Sequence, residues 1–78
     1  MNINFEYYKV FYEVAKNENI TKASEILHIS QPAISKTIKL LEEKLGGTLF
    51  VRTKKGVTLT EEGKEFYSYI AKAIEYIN

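Results

Sequence analysis

Apolar residues return along the first third of the chain at helical spacing. From about Asn4 to Asn17, Phe5, Tyr8, Phe11, Tyr12 and Ala15 fall on one stripe, and Tyr7 and Val10 widen it. A row of aromatics could serve as a stacking platform for bases, but at this spacing it reads as core. A turn at Asn19 follows. Thr21 is then expected to cap a short helix whose inner face carries Ala23, Ile26 and Leu27. His28 stands at the end of that helix, where its side chain suits exposed carbonyls and has a structural role.

The next stretch, "ISQPAISKTIKLLEEKLGG", has a clear seam. Ile34, Ile38, Leu41 and Leu45 fall at i, i+4, i+7 and i+11. Ser30 is the expected N-cap, Pro32 sits in the first turn where its missing N–H costs nothing, and Gly46 and Gly47 end the helix. Gln31, Ser35 and Lys39 share an adjoining face, with Pro32 and Lys36 at its edge. A core helix needs only the seam, so these small polar groups are aimed at something outside the protein. Two short helices with a short connection, the second presenting a polar first turn, make a helix-turn-helix layout.

The period then changes. Leu49, Val51, Val57 and Leu59 have strand character, and "TKKG" between the arms is a turn with Gly56 available for positive φ. Thr60 is expected to cap a last helix, with Glu61 and Glu62 at its positive end. Phe66, Ile70, Ala73, Ile74 and Ile77 form a stripe along it, flanked by Tyr69 and Tyr76, and this stripe is the expected dimer interface, the alternative being packing within its own domain. The fold class is mainly α: a winged helix-turn-helix with a three-helix core, a two-stranded β-hairpin wing and a long C-terminal helix. Residues 1–59 are read as the winged domain and 60–78 as a linker and dimerisation helix.

Length constrains the reading further. A chain of 78 residues can build one small core, and domains of this size commonly need added support. There is no cysteine for a disulfide and only one histidine, so neither a metal nor any cofactor is expected. Oligomerisation remains as the extra source of stability. The last helix is expected to reach beyond so small a body, which favours a homodimer through its distal end. With no Cys, no Asp and an isolated His28, no nucleophile–base pair can be assembled, so the chain is not read as an enzyme. Glu6, Lys9 and Glu13 interrupt the N-terminal apolar residues, which excludes a signal peptide or membrane span there and points to the cytoplasm.

Charge is unevenly placed. The formal total of +1 divides into −1 over Met1–Ser30, +4 over Gln31–Gly56 and −2 over Val57–Asn78. A basic middle third fits a face that meets a polyanion, and on charge alone an ordinary solvated surface fits equally well.

The residues themselves carry a resemblance. "TKASEILHISQPAISKTIKLLEEKLGGTLFVRT", followed by "VTLTEEG", resembles the N-terminal DNA-binding domain of LysR-type transcriptional regulators, from about Phe5 to the last helix. The resemblance implies a recognition helix beginning at Gln31 in the major groove, and a wing along the DNA backbone or minor groove. It implies a last helix that pairs with its counterpart in a dimer, and an effector-sensing domain beyond this chain, through which alone a small molecule would act. Gln31, Pro32, Ser35, Lys36, Arg52 and Lys55 match family positions that lie at the DNA. Three positions depart from the family pattern. Ser24 stands in the second place of the usual "AA", Lys36 where Arg is more frequent, and Val51 where an acidic residue is common. Lys lacks the fork of Arg, so Lys36 suits phosphate better than guanine.

The chemistry of the first turn agrees. A major groove about 12 Å wide admits one helix, whose first residues must be short or carry amides to reach base edges. Gln31 offers a donor and an acceptor together, which suits adenine. Ser35 can bond base or phosphate, and the ring of Pro32 suits a thymine methyl. Lys36, Lys39, Arg52, Lys54 and Lys55 supply sequence-independent attraction, with Thr37 a further backbone contact. The expected partner is an interrupted palindromic DNA duplex. The competing function is a helical module whose last helix docks a protein while the hairpin is merely solvated. Salt dependence of binding separates the two.

Overall fold

The first stripe becomes α1, Phe5–Asn17, and the remaining elements follow as α2 (Ile20–Leu27), α3 (Gln31–Leu45), β1 (Phe50–Thr53), β2 (Gly56–Leu59) and α4 (Glu61–Ile77). The computed structural model describes residues 5–77, Ile77 by its backbone alone; the expected helical residue Asn4 and the side chain of Ile77 lie outside the described residues. The order of three helices, an antiparallel hairpin and a last helix is the winged helix-turn-helix expected from the pattern.

α1 is the central element and packs against α2, α3, α4 and β2. Phe11 is fully buried, with the rings of Phe50 and Phe66 at centroid distances of 5.3 and 4.9 Å. Val10, Val14, Ala23, Ile34, Ile38, Leu41, Leu49 and Val57 complete the core around it. Val14 was not in the expected stripe, whereas Phe5, which was, is exposed. The stripe is therefore rotated toward Val14 because α2, α3 and β2 press on that flank.

The corner between α1 and α2 forms earlier than expected. Glu18 takes a left-handed conformation and donates its N–H to Val14 O at 2.8 Å. Asn19 is then extended and accepts the Lys22 N–H at 2.8 Å, so Asn19 rather than Thr21 is the N-cap, and Thr21 lies exposed in the first turn. Asn is the stronger capping residue, and the left-handed Glu18 places it at the helix mouth. On α2 only Ala23 is buried, Leu27 is half-buried, and Ile26 faces outward. His28 closes the helix through its backbone, left-handed, with its N–H on Ser24 O. Ser24 also accepts the Ile29 N–H at 3.2 Å and donates its hydroxyl to Ile29 O at 2.5 Å. The unusual serine thus braces the turn of the helix-turn-helix.

α3 matches its reading closely. Ser30 Oγ accepts from Ala33 N at 3.3 Å, Pro32 lies in the first turn, and left-handed Gly46 ends the helix. Ile34, Ile38 and Leu41 are buried, while Leu45 at the end of the seam is exposed. The hairpin pairs Phe50 with Leu59 and Thr53 with Gly56, leaving Lys54 and Lys55 as its tip. Val51 faces solvent, and Phe50, not marked by the alternation, takes the inner side against Phe11. Hydrogen bonds to Glu42 and Glu18 hold the hairpin to the body, and one between its two ends closes its base. Glu42 accepts from Leu49 N at 2.8 Å and more weakly from Phe50 N, Glu18 O accepts from Val57 N at 3.2 Å, and Leu49 O accepts from Thr60 N at 3.0 Å. Gly56, at φ 152°, passes so close to Glu18 O that a side chain could not fit.

Thr60 caps α4 by accepting from Gly63 N at 2.9 Å while donating to Thr48 O at 2.6 Å. The helix, expected from its length to reach beyond the body, lies against the domain as far as Ile74, with Tyr76 fully outward. Its 17 residues span about 25 Å, within a molecule of 29 × 25 × 20 Å. Phe66, Ile70 and Ile74 turn inward, Ile74 to 6% exposure, so these members of the expected interface stripe pack within their own domain. Ala73 remains exposed, beside Tyr69 at 66% and Tyr76 at 92%. No helix among the described residues is long and apolar enough to cross a membrane.

Candidate nucleic-acid interface

Two adjoining clefts of about 300 and 340 Å3 run between α3 and the hairpin. Ser35 and Arg52 line both, which makes them one trough with a helical wall and a hairpin wall. Gln31, Ser35 and Lys39, one turn apart on α3, form the first wall. Arg52, Lys54 and Lys55 form the second. The floor is apolar where Ile20 and Val57 surface between them. The geometry follows from α3's periodicity: with Ile34, Ile38 and Leu41 buried, positions 31, 35 and 39 must face sideways toward the hairpin.

Pro32 and Lys36 are exposed on the neighbouring face of α3, outside the trough but beside its rim. Thr37 is half-buried and lines neither cleft, so it is not brought together with the other site residues. Gln31 is exposed and Ser35 half-buried, neither sealed beneath neighbours. Asn19, Thr21 and Thr53 also line the trough. In the sequence Thr21 reads as a cap, and Asn19 and Thr53 carry no signal for this wall, because only the folded corner brings α2's first turn level with the hairpin tip.

The electrostatics of the trough are those of unsatisfied cations. Among the described residues the ion pairs are Lys9–Glu6 and Lys64–Glu61, both remote from it. Lys36, Lys39, Arg52, Lys54 and Lys55 take part in neither. The one carboxylate in the trough, Glu42, is engaged by the amides of Leu49 and Phe50. Such a surface attracts a polyanion, and the amide and hydroxyl along its helical wall can hydrogen-bond in a direction-dependent way. Among the described residues no group of three or more His, Cys, Asp or Glu is placed to hold a metal ion.

Known proteins share both sequence and shape with this chain. The model of the family described as bacterial regulatory helix-turn-helix protein, lysR family, matches residues 5–64. The RuBisCO operon transcriptional regulator of Allochromatium vinosum is 42% identical over 69 residues, covering 88% of this chain and 23% of that protein. The nitrogen assimilation regulatory protein nac of Escherichia coli (strain K12) is 43% identical over 72 residues, covering 92% of this chain and 23% of that protein. The chain thus spans about a quarter of the length of these curated relatives. Among solved structures, the BenM DNA-binding domain in complex with catB site 1 DNA superposes with a TM-score of 0.90 at 35% identity, covering 96% of this chain and 84% of that one. The CbnR DNA-binding domain–DNA complex gives 0.88 at 33% identity, covering 96% and 86%.

Proposed function

The chain belongs to the lysR family of bacterial regulatory helix-turn-helix proteins, and from that premise we propose that it binds double-stranded DNA sequence-specifically. In this reading α3 enters the major groove. Gln31 and Ser35 meet base edges, with Pro32 against a thymine methyl and Lys36 on a phosphate at the groove's rim. Arg52, Lys54 and Lys55 follow the backbone or minor groove from the hairpin, and Lys39 adds attraction from the far end of the helical wall. Thr37 serves at most as a backbone contact. Thr21, beside Gln31 in the trough, joins the phosphate contacts.

The observation that carries the reading is the trough. An amide, a hydroxyl and four unpaired cations face each other across it, and the only acidic group present is occupied by backbone amides. The alternative of a protein-docking helix with a merely solvated hairpin gives no reason for that convergence.

We further propose a homodimer through α4. Residues 60–78 act as its linker and dimerisation helix and residues 1–59 as the winged domain of a longer regulator. A DNA-binding part covering 23% of its relatives supports the view that effector sensing lies in another domain. Tyr69, Ala73 and Tyr76 are the exposed residues that would meet the partner, with Phe66, Ile70 and Ile74 backing them from inside. Selection of bound sequences from a random duplex pool tests the proposal. It predicts an interrupted palindrome with half-sites one helical turn or a multiple apart. Recovery of unrelated sequences, or of no enriched sequence, would contradict it.

A further inference from the structure

α4 starts beside the hairpin, and it is tied to α1 by a cluster that the trough does not use, with Tyr67 in its first half and Glu75 near its end. The hydroxyl of buried Tyr12 donates to Glu75 Oε2 at 3.2 Å, across 63 positions of sequence. The ring of Tyr12 lies parallel to that of Tyr67, with centroids 5.7 Å apart and planes 10° apart. Lys16 Nζ sits 5.6 Å from the Tyr12 centroid and adds a cation–π contact. Alongside it the attachment is apolar, through Phe66 and Ile70 against the core and the buried Ile74 next to Glu75.

Apolar packing is non-directional, whereas a hydrogen bond and a parallel stack fix an orientation. We propose that Tyr12 and Glu75, with Tyr67 stacked beneath, form a latch that sets the course of α4 over α1. By setting that course, the latch fixes the separation of the two recognition helices and hence the half-site spacing the dimer accepts. The inference rests on the dimeric DNA-binding reading above. Its leverage is geometric: a tilt of about 10° in a helix of about 25 Å moves its end by about 4 Å, more than the roughly 3.4 Å step of one base pair. Tyr12 and Glu75 are positioning residues in this role, since neither lines the trough.

The test uses Tyr12→Phe, Glu75→Ala and Glu75→Gln in the full chain. Tyr12→Phe keeps the ring and its stack, so the fold is preserved while the bond is lost. Glu75→Gln keeps an oxygen that can accept it. Affinity is measured for the selected palindrome, for duplexes with the half-sites moved by one base pair, and for a single half-site. The latch predicts that discrimination against the shifted duplex falls about threefold to tenfold in Tyr12→Phe and Glu75→Ala, the range one such bond can hold. Glu75→Gln should behave as the unmutated chain, and single half-site affinity should be the same in all. The chain has no native cysteine, so spin labels at Lys22→Cys and Lys72→Cys, diluted with unlabelled chain, report α4's course without DNA. Their distance distribution should broaden in Tyr12→Phe and stay narrow in Glu75→Gln. Unchanged spacing discrimination together with an unchanged distance distribution in Tyr12→Phe overturns the latch. Failure of the unmutated chain to bind even a single half-site would instead overturn the DNA-binding reading, and the spacing claim with it.

Discussion

Gln31 and Lys36 stand one and a half turns apart at the start of α3, and their chemistry separates reading from attraction. An amide that donates and accepts at once discriminates between bases, while an ammonium meets any phosphate equally. Gln31→Ala is therefore expected to weaken the selected site by about 1–3 kcal/mol and random duplex far less. Lys36→Ala should weaken both alike and reduce the slope of log affinity against log salt by about one. Titration at several salt concentrations distinguishes these outcomes, and equal losses on both duplexes from Gln31→Ala would remove it as a base reader. Tyr12 and Tyr67 give a second residue-level expectation. Burial, and then the hydrogen bond and charge of Glu75, hold the Tyr12 hydroxyl above its usual 10.0. Burial, with the neighbouring Tyr12 and Glu75, does the same to Tyr67. The folded chain keeps these protons where the unfolded chain begins to lose them, so the stabilisation is complete below pH about 10 and is lost as pH rises through the folded values. Urea unfolding between pH about 9 and 11 should show a steeper fall for the unmutated chain than for Tyr12→Phe.

At the scale of elements, what could be read from the chain was whatever is decided locally. Ser30, Pro32 and Gly46 mark α3 by capping and backbone conformation, and its seam of Ile34, Ile38 and Leu41 needs no knowledge of neighbours. The α3 wall of the trough was legible for the same reason, since a buried seam dictates which side of α3 is left over. Faces that depend on another element were not. Val14 is buried, and Ile26 and Leu45 exposed, because of where α2, α3 and the hairpin come to rest. The capping role moved from Thr21 to Asn19 because Glu18 turns left-handed, a choice that periodicity does not reveal. Gly63 is the sharpest case. In an exposed helix, Gly→Ala is ordinarily stabilising by roughly 1 kcal/mol. Here a Cβ would drive into Leu49 O and the Leu59 side chain. Gly63→Ala is accordingly expected to destabilise by about 1–3 kcal/mol in denaturant unfolding. A stabilised variant would show that α4 does not sit against the hairpin as described.

Across the whole molecule, a single core centred on Phe11 holds three helices, the hairpin and α4 within a radius of gyration of 11.5 Å. That value is what about 78 residues give as one compact body, so α4 is part of the domain that presents the trough and not a free arm. Its inward residues stabilise the winged unit, while Tyr69 and Tyr76 stay outward, on the surface through which we propose the homodimer forms. Of the basic middle third seen in the sequence, Lys39, Arg52, Lys54 and Lys55 come to line the two walls of one groove, which is why a total charge of +1 is compatible with a polyanionic partner. That DNA is received by the first turns of α3 and the hairpin, the walls and rim of this groove, can be checked by following backbone amide resonances of the chain as the selected duplex is added. The largest shifts are expected at Gln31, Ser35, Lys36 and Arg52–Lys55, with the buried faces of α1 and α4 little affected. Shifts concentrated on α4 with α3's first turns and the hairpin silent, or no shifts at all, would contradict it.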